Sequence, residues 1–163
     1  KITEIAKNPP WQRTVVNTDS SLATKFSKNE NPVVKRQLTL ELLDQYRDYI
    51  QIYTDASKSE TGATGASFYL PAYGAERSFR IPTKISVSTA ELLAIKAALE
   101  YIHTILLLHN VKQIAVLTDS LNAVKSLSSG NTFMYTNITT DTLEIVYNLQ
   151  KQNIEVKFIV TAT

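Results

Sequence analysis

The 163-residue chain contains no cysteine, which excludes a disulfide framework, a thiolate zinc site and a cysteine nucleophile together, and favours a reducing compartment. Glycine is scarce, with four residues, and none of them builds a Gly-rich loop of the kind that cradles phosphates. The net charge is only +2, so there is no polybasic tail for nucleic acid, although a small net charge is compatible with a local basic groove. Long apolar runs are missing as well. Ile105-Leu106-Leu107-Leu108 falls far short of the roughly 20 residues that span a bilayer, and no signal-peptide pattern occurs. The expectation is a soluble intracellular protein, nuclear or cytoplasmic, without membrane contact, and a monomer.

What is present is enough hydrophobic sequence for one domain, at 44% of residues. The chain begins at Lys1 rather than Met, so it is expected to be a piece of something longer or a processed product. Residues 1–48 read as an extended polar arm with one short helix. Pro9-Pro10-Trp11 and Asn31-Pro32 mark breaks, Trp11 is expected to anchor the arm, and Leu38 to Tyr49 alone has helical spacing. Residues 49–163 read as an α/β domain. Ile50 to Thr54, Gly62 to Leu70 and Ala75 to Ile81 form a three-strand antiparallel meander. Ser88 to His109 is a long helix, and Val111 to Thr118 is an apolar strand of the kind covered on both faces. A helix from Ser120 to about Ser128 ends at Gly130, another runs from about Ile138 to Lys151, and Ile154 to Val160 is the last strand. Five strands in a mixed sheet flanked by helices follow from this order.

Two segments share a plan: Ile52-Tyr53-Thr54-Asp55 and Val116-Leu117-Thr118-Asp119 are apolar strands that stop at Thr-Asp. Each aspartate has an ordinary structural explanation, Asp55 as a turn residue and Asp119 as a helix N-cap. Glu91, in Ser88-Thr89-Ala90-Glu91, fits a capping box. Helical spacing nevertheless puts Glu91 above Ala94, Ile95, Ala98 and Ile102, the apolar stripe that faces the sheet. A carboxylate there is costly unless it is paired or bound to metal. One site accounts for all three acids. Two strands and the helix across them can bring Asp55, Glu91 and Asp119 to one rim of the sheet, where a hard cation such as Mg²⁺ takes oxygen ligands and a pair of ions can promote phosphodiester hydrolysis. His103 and His109, six residues apart, lack the spacing of a metal pair on one helix face, and Lys84 and Lys125 read as solvated lysines that could also meet phosphates.

The segments Tyr-Thr-Asp-Ala-Ser-Lys at 53–58, Ser-Thr-Ala-Glu-Leu-Leu-Ala-Ile at 88–95 and Leu-Thr-Asp-Ser at 117–120 resemble the three acidic motifs of ribonuclease H domains. The likeness is greatest to those carried by reverse transcriptases of non-LTR retrotransposons, and it covers about residues 50–160. The resemblance implies a ribonuclease H-like fold with strand order 3-2-1-4-5, and catalytic metal ligands at Asp55, Glu91 and Asp119. It also implies substrate contacts from Ala56, Ser57, Lys58 and Ser120, and Mg²⁺ or Mn²⁺, two ions in all, as cofactor. The implied activity is endonucleolytic cleavage of the RNA strand of an RNA/DNA hybrid to a 3′-hydroxyl and a 5′-phosphate, and a reverse transcriptase domain in the parent chain is a candidate partner. Two positions depart from the family pattern. Ala56 stands where glycine is usual, and its methyl group is expected to crowd the substrate or shift a turn. The last strand is followed by Thr161-Ala162-Thr163, not by the family's final helix with its fourth acid, so one of the two ion sites is expected to be weak. The alternatives are a catalytically impaired module that binds nucleic acid or protein, and an integrase-like nuclease.

Overall fold

The computed structural model describes residues 14, 16–25, 30–82, 84–106, 108–129 and 136–161. The Trp11 anchor and the Gly130 helix stop lie outside these residues. In chain order the elements are β1 (Asn17–Asp19), α1 (Ser21–Lys25), α2 (Pro32–Gln45), β2 (Ile50–Lys58), β3 (Thr64–Leu70), a 3₁₀ turn (Pro71–Tyr73), β4 (Ala75–Ile81), α3 (Val87–Ile105), β5 (Gln113–Thr118), α4 (Leu121–Ser129), α5 (Thr136–Lys151) and β6 (Glu155–Val160).

The strands form one mixed sheet in the order β1-β6-β5-β2-β3-β4. Counting β2 to β6 as the five expected strands, this is the 3-2-1-4-5 order, with β2, β3 and β4 antiparallel and β2, β5 and β6 parallel. The expected count of five is corrected to six, because β1 pairs in parallel with the outer edge of β6. Asn17-Thr18-Asp19 has two residues of poor strand propensity. Its place is set by contacts distant in sequence, above all the Tyr46 hydroxyl, which donates to the Asp19 carboxylate at 2.6 Å.

The segment expected to be an extended arm thus supplies a strand and two helices. Helix α2 begins at Pro32, six residues before the expected start at Leu38, and ends at Gln45 rather than Tyr49. The Asn31 side chain accepts from the Val33 amide at 2.9 Å, and Pro32 sits in the first turn, where a missing N–H costs nothing. The dipeptide that reads as a break is the start of a helix.

Two layers cover the sheet. On one face, Leu92, Ile95, Leu99 and Ile102 of α3 pack with residues of α4 and α5 over Ile52, Phe68, Val116 and Phe158; a buried side chain of this size contributes about 1.5–3 kcal/mol. At its N-terminal end α3 presents Ala90 and Ala94 to Ala66, and these small side chains bring the helix close to the sheet. On the other face, Leu22, Leu42 and Tyr46 cover Ala115, Leu117 and Ile159. No helix among the described residues is long and apolar enough to cross a membrane.

Candidate metal centre

The first acid does not occupy a turn. Strand β2 runs on to Lys58, four residues past the expected end at Thr54, and Asp55 pairs with Ser67 inside the antiparallel ladder. The parallel ladder between β2 and β5 stops at Tyr53 opposite Leu117. Beyond that point β2 has lost its β5 neighbour, and this gap is where the carboxylates gather.

The two threonines of the Thr-Asp pairs hold the gap open in a fixed shape. The buried Thr54 hydroxyl donates to the Leu117 carbonyl at 3.0 Å, extending the link between β2 and β5 by one step. Thr118, also buried, accepts from the Ser120 amide at 3.1 Å, and its carbonyl accepts from the Thr161 amide at 2.8 Å. Each aspartate therefore follows a threonine whose position is clamped, Asp55 where β2 parts from β5 and Asp119 just past the end of β5. These threonines were not singled out in the sequence, although the repeated Thr-Asp carried the signal.

Neither cap explanation of the other two acids survives. The helix that bears Glu91 starts one residue earlier than expected, at Val87, and its cap is Ser86, which accepts from the Thr89 amide at 3.1 Å. Helix α4 is capped by Ser120, whose hydroxyl accepts from the Ala123 amide at 3.2 Å. Asp119 is free of that duty and exposed, whereas Glu91 is only 3% exposed.

Asp55, Glu91 and Asp119 each offer an oxygen, and the three oxygens lie within 4.8 Å of one another. Burial is the largest influence on Glu91; with the charges of Asp119 and Asp55 it pushes the carboxyl up to about 8, against the opposing pull of the Ala56 amide. Glu91 Oε2 is buried without a hydrogen-bond partner. A buried carboxylate oxygen with no donor, facing two further carboxylates, is stabilised by a cation. The donors are all hard oxygens, which suits Mg²⁺ or Mn²⁺. The residues present fit a divalent ion.

The neighbours expected to touch substrate fall into two groups. Ser57 and Lys58 are exposed near the end of β2, and Ser57 lines the same groove as Asp55. Ser120 is half-buried and occupied by the cap. Ala56 shifts no turn: it lies in the regular ladder opposite Ala66, and it packs against the cluster of Ala66, Ala90 and Ala94 under α3. Its methyl group fills space between helix and sheet. His109 stacks on Tyr73 at 4.2 Å, beyond the far end of the helix that carries Glu91.

An α/β domain with this sheet order, and an oxygen-only acidic cluster at the rim where β5 ends, has the arrangement of a metal-dependent phosphodiester hydrolase. The ribonuclease H family model matches residues 47–160, and the chain belongs to the ribonuclease H family. At family level it is a ribonuclease H-type hydrolase; the family acts on nucleic acid with divalent metal, and three acids of this chain lie close enough together to hold an ion. No curated protein matches the chain.

Proposed function

We propose that this protein is an endonuclease that cleaves the RNA strand of RNA/DNA hybrids with Mg²⁺ or Mn²⁺, and that it comes from a retroelement polyprotein of the non-LTR retrotransposon type. The observation that carries the nuclease reading is the convergence of the Asp55, Glu91 and Asp119 oxygens within 4.8 Å around an unpartnered buried oxygen. The retroelement origin rests on the motif sequences at 53–58, 88–95 and 117–120.

Asp55, Glu91 and Asp119 hold the ion or ions, and the bound metal supplies a polarised scissile phosphate and an activated water. The protein's own part is positional. Thr54 and Thr118 fix the backbone on either side of the gap, so the two aspartates project from set positions, and α3 carries Glu91 to the same rim. Discrimination in favour of RNA follows from contact with 2′-hydroxyls in the shallow minor groove, without reading of base sequence. A proposed division of the chain follows: residues 1–48 as a supporting segment and 49–163 as the ribonuclease H-like domain.

The test is an end-labelled hybrid incubated with Mn²⁺. The expected result is internal cleavage of the RNA strand, abolished by Asp55→Asn. Hybrid binding without cleavage, unchanged by Asp55→Asn and by chelation, would instead identify a catalytically impaired module. Cleavage of duplex DNA in preference to hybrid would identify an integrase-like nuclease.

A further inference from the structure

Among the described residues, no helix lies over one face of β3, β4 and the part of β2 beyond Gln51. Tyr53 and Tyr69 are exposed there as an edge-on pair 6.5 Å apart, and α2 covers the neighbouring β5 and β6 and meets β2 at Gln51, whose side chain donates to the Leu43 carbonyl. Cross-strand pairing sorts this face into rows. Asp55, Ser67 and Ser78 form one row, and Ser57, Gly65 and Arg80 form the next. Side chains in a row project to the same side, about 4.8 Å from strand to strand, and successive rows on one face lie about 7 Å apart.

The two rows line an open groove of about 430 Å³ with Asp55 at one end and Arg80 at the other. The middle of the second row is Gly65, so the groove has backbone for a floor between the Ser57 hydroxyl and the Arg80 guanidinium. Arg80 is exposed and has no ion-pair partner among the described residues. Arg77, on the same strand but facing the other way, is by contrast engaged over the Tyr101 ring at 5.6 Å. A guanidinium without a carboxylate, reached from the acids along a path of hydroxyl groups, matches a sugar–phosphate backbone: hydroxyls for phosphate and ribose oxygens, and a planar fork for one phosphate.

We propose that this groove carries the cleaved strand, and that Arg80 binds one phosphate of it a few nucleotides from the scissile bond. The inference rests on the hybrid-nuclease reading and adds to it a positioning residue and a direction of travel: from the metal ligands outward across β3 to the edge strand β4. The phosphate at Asp55 depends on the cation, because the carboxylates repel it. The phosphate at Arg80 does not.

The experiment is hybrid binding by fluorescence anisotropy across a salt series, together with steady-state cleavage, for the unaltered chain, Arg80→Ala and Arg77→Ala. Arg80→Ala is expected to weaken binding about 3- to 10-fold, to lower the salt slope by about one, and to raise KM with little change in kcat. Arg77→Ala is expected to leave slope and KM unchanged. A scan with single neutral methylphosphonate linkages along the RNA strand then locates the contact. One linkage should cost the unaltered chain the same factor and cost Arg80→Ala nothing further, because the two changes remove one interaction. Equal effects of the two arginine variants, or losses at every linkage that simply multiply with Arg80→Ala, would overturn the proposal. If the unaltered chain binds hybrid without cutting it, the nuclease reading fails while the salt slope and the linkage scan still decide the role of Arg80.

Discussion

On the outer strands Asp19 and Glu155 each accept a phenolic hydrogen bond, from Tyr46 and Tyr49 respectively, both at 2.6 Å, whereas at the rim of β2 and β5 three carboxylates face one another with a buried oxygen unbonded. Burial raises Asp19, but the hydrogen bonds from Tyr46 and Ser21 and the nearby Lys157 outweigh it and hold the carboxyl below its ordinary range. Glu155 is likewise held down by Tyr49 and Gln113. Glu91 moves the other way, up to about 8. The same functional group is a fastener where donors surround it and, on the proposed reading, a metal ligand where they are few. What separates the two regions is the supply of donors, since both lie at the margins of the sheet and both are partly buried.

The contrast is broken most strongly at the acid rim. Asp55→Asn or Glu91→Gln is expected to lower divalent-dependent cleavage by about 100-fold or more, equivalent to about 3 kcal/mol. The folded state without added cation should become more stable by on the order of 1 kcal/mol as repulsion is relieved. Activity and denaturant midpoints measured on the same preparations check both signs; a stability loss would show that the acids are structural. Next in size, saturating Mg²⁺ or Mn²⁺ at about 100 times Kd should stabilise the unaltered chain by about 2.7 kcal/mol. Calorimetry should show the gain vanish on chelation and shrink in Asp119→Asn. No such gain should follow from changes at Asp19 or Glu155.

At the fastened region the effects are smaller and fall on stability alone. Tyr46→Phe is expected to cost about 1–2 kcal/mol by leaving the Asp19 carboxylate without its phenol, read from chemical denaturation, with kcat unchanged. Tyr49→Phe should cost about 1 kcal/mol or less, since the pair is more exposed. Its cost depends on pH. The hydrogen bond to Glu155 pushes the Tyr49 phenol up to about 12 from 10.0, so its contribution is complete below pH 10 and is lost as pH rises from 10 to 12. Glu155 is depressed from 4.5, so its share is present above that value and fades as pH falls below it. The stability difference between the unaltered chain and Tyr49→Phe should therefore be flat at neutral pH and close at both extremes. A difference that grew above pH 10 would refute the assignment.

Much of this was legible in the residues, for identifiable reasons. The period-3.6 pattern over Ser88 to Ile102 marks α3 because the helix buries one face, and Ala75 to Ile81 is delimited as a strand by Pro82 although only its end residues are buried. The stripe that placed Glu91 among apolar neighbours came from the same periodicity. The polar β1 was not legible, because it is selected by β6 and Tyr46 rather than by its own propensities. The early start of α2 was hidden by Asn31-Pro32, a pair that serves equally as a break and as a cap. The capping pattern at Ser88 was misleading: Ser86, two residues earlier, captured the cap and left Glu91 to the site.

The sequence by itself pointed to the family and, through that resemblance, to the order of the five main strands, and it singled out the three acids that the structure brings together, because motif residues and local periodicity carry these. Only the tertiary structure decided that β2 outruns β5 and leaves a gap, that Thr54 and Thr118 clamp its borders, and that Ala56 fills space under α3. It also decided that Asp19 and Glu155 are fasteners. Those outcomes depend on which groups meet across the sheet, and hydrogen-bond donors many residues away determine whether a carboxylate is satisfied or left for a cation.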